Sequence, residues 1–398
     1  MPKRVLFLYI SPSSGHQHAA DAVREALGML EPTWETFGID SFSYAYPKIG
    51  KLIARAYLEI LRRTPTLWNY VYDNPDVETA TREIREVLNL ISAPKMQTLL
   101  ERHTPEAIVC TQAVPCSVFA AEKRRGAMSI PLIAVVTDFA IHSYWVYKEV
   151  DLYCVASEET RKDLIRYGIE ASRIAVTGIP ISPKFLKHRR KEQIRARLGL
   201  DVHRPTLLVM GGSQGMGPLQ ETLDKLQDLS VQCLVATGLN RELYRMLRKT
   251  HGRNKRMRLF GYTRRIHMLM EASDILITKP GGLTTSEALA KNLPMLLTSP
   301  IPGQEERNAR FLERQGVAEQ ADSPEEIAKR VQSLLQNPVR MQRMIDRTKE
   351  IAMPYAAIEI ARWICRLVSD SKNEFPAPET ASPRASWALP KEYDKISH

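Results

Sequence analysis

The residues of this chain best suited to do chemistry are three glycine turns and a close pair of histidines. At Lys279-Pro280-Gly281-Gly282-Leu283-Thr284-Thr285, the apolar run Ile275 to Ile277 reads as a buried strand, and Thr284 to Lys291 has the composition of a helix. Strand, glycine turn, helix aims free backbone N–H groups and the positive end of a helix dipole at an anion. Gly281 and Gly282 leave room for a phosphate against the main chain. Thr284 and Thr285 add hydroxyls where Thr also caps a helix well. Glu287, about one turn further on, suits a pair of ribose hydroxyls or an i,i+4 pair with Lys291. An ordinary capped βα turn shares this composition, so the stretch alone leaves both readings open.

A second turn, Gly211-Gly212-Ser213-Gln214-Gly215-Met216-Gly217, follows the apolar run Leu207 to Met210. Four glycines in seven positions signal close approach of backbone to phosphate. Further on, Pro302-Gly303-Gln304-Glu305-Glu306-Arg307-Asn308 brings Gln304, Glu305 and Asn308, types that bond sugar hydroxyls and equally cap helices. The first turn, Ser11 to Ala20, carries His16 and His18 after the strand Arg4 to Ile10, where α/β sheets bind ligands. Imidazole takes a proton from an alcohol near neutral pH. A lone His is more often a cap or a core residue. Two in a loop of small polar residues point to function, with His16 nearer the turn.

These residues need elements to hold them. Apolar strand-type runs at 4–10, 34–39, 107–111, 132–137, 152–156 and 174–177 alternate with helical patterns, the βαβ signature of a parallel sheet. The pattern repeats with strands at 206–210, 231–237, 257–260, 275–278, 295–298 and near 316–319. Helices are expected around 218–229, 241–249, 284–291, 305–315 and 324–335. The fold class is α/β, two tandem Rossmann-like domains facing a cleft. The first spans 1–182 and the second 205–353, joined by a linker at 183–204 that carries Lys187-His188-Arg189-Arg190-Lys191. A last helix in 354–370 is expected to pack back on the first domain, and 371–398 has the Pro, Ser and charge content of a disordered tail.

At 398 residues, 44% hydrophobic and 25% charged, the composition is that of a soluble globular chain with two cores. A secretory leader and a membrane span are not indicated, and the five cysteines lack metal-ligand spacing, so a cytoplasmic protein with reduced thiols and no metal is expected. The net charge of +11 calls for an anionic partner. Between the second and third strands, Ile49, Leu52, Ile53, Ala56, Tyr57, Ile60 and Leu61 form a stripe opposite Lys48, Lys51, Arg55, Arg62 and Arg63. Phe42, Tyr44, Tyr46, Trp68, Tyr70 and Tyr72 flank it. That describes an interfacial membrane helix; a helix packed on the first sheet is the plain alternative. A second basic stretch, Arg241 to Arg265, holds ten Lys/Arg against Glu242 and suits either a solvated face or anionic lipid.

Gly211-Gly212-Ser213-Gln214-Gly215, Pro280-Gly281-Gly282 through Glu287, and Gly303-Gln304-Glu305 through Asn308 resemble the donor site of one glycosyltransferase group. That group contains the monogalactosyldiacylglycerol synthases, the bacterial diacylglycerol glucosyltransferases and, more remotely, the N-acetylglucosaminyltransferase that makes lipid II. Val136 to Trp145 is similar to a stretch of the diacylglycerol branch, and the likeness runs from about residue 4 to 365. The resemblance implies the GT-B architecture and a UDP-hexose donor. Ser213 and Gln214 would lie by the diphosphate and sugar, with Gly15, Gly212, Gly281, Gly282, Thr284 and Thr285 around the phosphates. Glu287 would hold the ribose, Gln304, Glu305 and Asn308 the hexose, and the backbone at Tyr262 and Thr263 the uracil. His16 would be the base or the residue that positions the acceptor, Asp138 a supporting acid, and Tyr57, Trp68 and Trp145 part of the lipid-facing surface. Ser13-Ser14-Gly15 departs from the more glycine-rich loop of the relatives.

The expected reaction is inverting transfer of a hexose to diacylglycerol at the inner face of the cell membrane, with anionic lipids as partners and no nucleic acid. The lack of a transit peptide and the length favour glucose over galactose. No metal or other cofactor is called for, since helix N-terminus and loop amides meet the leaving diphosphate. A nucleotide-sugar epimerase of the same architecture is the first alternative. A basic nucleic-acid-binding protein or a nucleotide-sugar sensor comes after it.

Overall fold

The structure is a computed structural model that describes residues 2–10, 14–45, 94–301 and 303–369. The stripe at 49–61 with Tyr57 and Trp68, and the tail 371–398, lie outside the described residues. Among those described, no helix is long and apolar enough to cross a membrane.

Twelve strands form two parallel sheets among the described residues. In the first, β1 (Arg4–Tyr9), β2 (Glu35–Asp40), β3 (Ala107–Cys110), β4 (Leu132–Val135), β5 (Leu152–Val155) and β6 (Ile174–Val176) lie in the order β2-β1-β3-β4-β5-β6. The second holds β7 (Thr206–Met210), β8 (Gln232–Ala236), β9 (Met257–Phe260), β10 (Ile275–Thr278), β11 (Met295–Leu297) and β12 (Ala318–Gln320). Its order is β12-β11-β10-β7-β8-β9, the Rossmann order. Helices cover both faces, so β1, β3, β4 and β5 are continuous apolar runs buried on either side. Predicted and observed strands agree to within a residue or two at each end.

Each sheet changes direction at one point, where neighbouring strands send their connections to opposite faces and leave a crevice at their carboxyl ends. In the first sheet that point lies between β1 and β3, in the second between β7 and β10. The His16 loop leaves β1, and the two phosphate-type glycine turns leave β7 and β10. The chemistry-bearing residues therefore fall at both switch points because of strand order.

The 183–204 segment is ordered and pinned. Its helix Lys191–Arg197 is held to the second domain by Lys191 Nζ on Asp274 Oδ1 at 2.8 Å and Arg195 Nη2 on Asp274 Oδ2 at 2.6 Å. The final helix, Ala356–Ser369, buries Ala357, Ile360, Ala361 and Ile364 in the same cluster as Phe7, Val23 and Leu27 of the first domain.

Trp145 corrects the reading of it as a lipid-facing residue. Its ring is 2% exposed inside the first-domain core, and the Tyr153 hydroxyl donates to its carbonyl at 2.8 Å. Its large apolar area is worth most in the interior. Trp145→Ala is expected to lower unfolding stability by about 3–5 kcal/mol, measured by denaturant titration. A loss below about 1 kcal/mol would contradict the core assignment.

Candidate active site

The carboxyl ends of the two sheets face each other across a cavity of 810 Å³. On the second-domain wall, the turn after β7 is built for glycine. Gly212 and Gly215 have φ of 69° and 59°, and a Cβ at Gly211 or Gly215 would overlap the Met216 or Thr237 carbonyl oxygen. Ser213 and Gln214 line the cavity beside this turn. After β10, Gly281 precedes the helix Gly282–Ala290, whose first amides have no acceptor within the helix. A Cβ at Gly282 would overlap the Thr137 carbonyl oxygen, so the first domain's backbone closes directly on the helix start. Gly15 is less tightly placed: a Cβ added there would meet Leu283 Cβ at 3.7 Å, an ordinary van der Waals contact.

Thr284 lines the cavity, but Thr285 does not. Thr285 is buried and its hydroxyl donates to the Gly281 carbonyl at 2.9 Å, as Ser and Thr do inside a helix. It is therefore a structural residue of the turn and not a phosphate ligand. Sequence reading also passed over Lys279. Its ammonium lies 2.7 Å from Glu305 Oε1, with both side chains mostly buried at the cavity wall, while Glu305 Oε2 accepts from the Ile301 amide at 2.8 Å. A cation directly before Pro280-Gly281-Gly282 was the available signal.

Glu287 faces the cavity and has no hydrogen bond or ion pair among the described residues. The i,i+4 alternative fails, because Lys291 is committed to Glu271 and to the Lys187 carbonyl. Burial with no compensating partner pushes the Glu287 carboxyl up to about 8. Tyr262 and Thr263, after β9, line the far end of the cavity.

On the first-domain wall, Ser14 caps the helix Gly15–Leu30 and sets His16 in its first turn. His16 Nδ1 lies 2.8 Å from the Thr111 carbonyl oxygen and 3.0 Å from Thr137 Oγ1. A carbonyl only accepts, so Nδ1 carries the proton and Nε2 keeps its lone pair. Thr111 and Thr137 follow β3 and β4, so two neighbouring strands fix the ring. Enclosure lowers the His16 pKa from its ordinary value, outweighing the bond to Thr111 and keeping the ring neutral.

Asp138 also lines the cavity, but its oxygens are turned to amides: Oδ2 to Gln304 Nε2, Oδ1 to Asn308 Nδ2 at 2.8 Å. Burial pushes its carboxyl up to about 6, against the lowering effect of the Asn308 bond. Asn308 corrects the reading of it as a sugar ligand. It is fully buried, accepting from the Phe139 amide at 2.9 Å and donating to the Pro280 carbonyl at 3.1 Å. Gln304 and Glu305, at the start of the helix Gln304–Arg314, do reach the cavity.

Two Rossmann-like domains closing on phosphate-type turns, with a neutral imidazole opposite, have the GT-B architecture. Solved structures share the fold. A Staphylococcus aureus MnaA–UDP structure superposes with TM-score 0.61 at 11% identity, covering 95% of this chain and 100% of that one. Acinetobacter baumannii MurG gives 0.58 at 15% identity, covering 92% and 100%. Residues 16–181 match the monogalactosyldiacylglycerol (MGDG) synthase family and residues 206–359 the glycosyltransferase family 28 C-terminal domain. A processive diacylglycerol beta-glucosyltransferase of Bacillus subtilis (strain 168) is 30% identical over 355 residues, 88% of this chain and 91% of that protein. The chain belongs to the monogalactosyldiacylglycerol synthase and processive diacylglycerol glucosyltransferase family.

The state of Glu287 gives a stability test. Its folded pKa, about 8, lies above the ordinary carboxyl value, so the folded chain holds a proton that the unfolded chain releases. Stability therefore falls as pH rises from about 4.5 to about 8 and levels off beyond. Glu287→Gln removes that decline, so at pH 8 and above the unliganded variant is expected to melt higher than the parent. A lower melting temperature there would refute the uncompensated carboxyl.

Proposed function

We propose that the chain transfers a hexose, glucose in preference to galactose, with inversion from a UDP-sugar to the free hydroxyl of diacylglycerol. The observation that carries this is the His16 ring. Held at Nδ1 by Thr111, it keeps a neutral Nε2 on the wall opposite the phosphate-type turns. Nε2 takes the proton of the acceptor hydroxyl as its oxygen attacks the anomeric carbon, and the C–O bond to the diphosphate breaks on the other face. The charge left on UDP is met by the amides at Gly212 to Gly215, the helix start at Gly282, and Lys279, so the reading calls for no metal. Glucose follows the activity for which the relatives are named. An epimerase shares the fold, but a relative matched across 88% of the chain is named a glucosyltransferase.

We place the protein peripherally on the cytoplasmic face of the membrane, in contact with anionic lipid. Arg241, Arg245, Arg248, Lys249, Arg253 and Lys255 are exposed, and among the described residues none has an acidic partner. Exposed Leu239, Met246 and Tyr262 lie in the same stretch, which suits a lipid surface better than a nucleic acid.

Thin-layer chromatography of diacylglycerol incubated with each UDP-hexose reads the sugar and the number transferred. His16→Ala is expected to lower turnover by about 10²–10⁴-fold while UDP affinity changes less than about twofold. In the parent, the acid limb of kcat/KM lies below pH 6.5, because the base of the free protein is protonated only under its lowered pKa. Transfer that survives His16→Ala would refute the base. Two ribose hydroxyls donating to Glu287 favour its ionised form, so UDP binding at pH 7 releases a proton. Calorimetry in buffers of different ionisation enthalpy reads that release, which Glu287→Gln should abolish.

A further inference from the structure

We propose that Thr137 is a positioning residue for the transfer: its hydroxyl sets the direction of the His16 ring, and its main chain spaces that ring from the phosphate helix. The inference rests on the inverting reading with His16 as the base. It starts from the two acceptors within reach of His16 Nδ1, the Thr111 carbonyl oxygen at 2.8 Å and Thr137 Oγ1 at 3.0 Å. The carbonyl can only accept, so Nδ1 carries a proton and the Thr137 hydroxyl accepts a share of it.

Thr111 grips His16 twice, since its own hydroxyl also donates to the His16 carbonyl at 2.8 Å. One acceptor still fixes only one point of the ring and leaves it a swing about that point. A second acceptor, from the next strand of the sheet, removes the swing and so fixes where Nε2 faces. That matters because a misplacement of about 1 Å costs a reaction on the order of 10²-fold. Thr137 is 5% exposed and lines the cavity. Among the described residues its hydroxyl has no hydrogen bond besides the one to His16, so it has no second structural duty.

The same residue meets the second domain with its backbone. A Cβ at Gly282 would overlap the Thr137 carbonyl oxygen, so that carbonyl sits directly against the start of the helix Gly282–Ala290. The free amides there are the ones that suit a diphosphate. The next two residues are tied to that side as well: the Phe139 amide donates to Asn308 Oδ1 at 2.9 Å, and Asp138 Oδ1 accepts from Asn308 Nδ2 at 2.8 Å. In an inverting displacement the base and the leaving diphosphate work on opposite sides of the anomeric carbon. The separation of His16 from the helix start therefore decides whether both are in reach at once, and Thr137 spans it.

The test compares Thr137→Val, which keeps the shape and loses the hydroxyl, with Thr137→Ser, which keeps the hydroxyl and loses the methyl. In Thr137→Val, kcat is expected to fall about tenfold, with KM for UDP-glucose and UDP affinity by calorimetry within about twofold of the parent. Thr137→Ser is expected to keep at least about half of the parent kcat. A packing role predicts the opposite order, and either that order or a parental kcat in Thr137→Val overturns the proposal. Spacing is tested by Gly282→Ala at saturating UDP-glucose, whose Cβ must push the Thr137 carbonyl away. Its kcat is expected to fall about tenfold, and less than about threefold in a Thr137→Val background, where the link to His16 is already cut. Equal losses in both backgrounds, or none, overturn the spacing role. Should Gly282→Ala not fold, the Thr137 pair decides alone. His16→Ala is made first: transfer that survives it refutes the base, whereas loss there beside an unaffected Thr137→Val refutes this inference only.

Discussion

The site depends on one buried junction, the place where the first domain's 137–139 segment meets the start of two second-domain helices. Asn308 bonds at once to the Phe139 amide, the Asp138 carboxylate and the Pro280 carbonyl. A few residues away, the Thr137 carbonyl occupies the space a side chain at position 282 would need. Backbone approach of this kind requires glycine, and the polar groups it buries must all be paired. The junction holds the phosphate-type turn, the sugar-reading helix and the His16 wall in one register, since Thr137 also contacts the His16 ring.

Closing the cleft has an electrostatic consequence that runs in one direction. Burial lowers the His16 pKa, raises Asp138 to about 6 and raises Glu287 to about 8, so each group is pushed toward its neutral form. These are the marks of a compartment with few compensating charges, where a diphosphate interacts more strongly with its surroundings than in water. Lys279 is the buried cation at the phosphate wall, and Glu305 neutralises it in the unliganded cleft.

The framework was readable because parallel strands buried on both faces appear in sequence as unbroken apolar runs, β1 and β10 being clear cases. The glycine turns were readable because few residues but glycine fit there. Direction was not readable. Thr284 and Thr285 are the same residue type one position apart, yet helical geometry turns the first to the cavity and the second into the turn. Asn308 has a side chain suited to sugars, but it lies one turn into its helix and under the first domain, a contact with a residue 170 positions away. Trp145 was assigned to a surface by its chemistry, and packing decided otherwise. Lys279 went unread because its carboxylate partner is 26 positions off in sequence.

The two domains divide the work by kind of group. The second domain offers mostly main-chain amides and helix starts, which suit any nucleoside diphosphate and tolerate change in the side chains around them. The first domain contributes side chains whose direction matters, His16 and Asp138, each fixed by backbone carbonyls or amides of its own sheet ends or of its partner domain. At Gly211, Gly215 and Gly282 an added Cβ overlaps the backbone, whereas the Asp138–Gln304 contact is made by side chains alone. Because that contact spans the cleft, a change in either side chain also alters what joins the two domains.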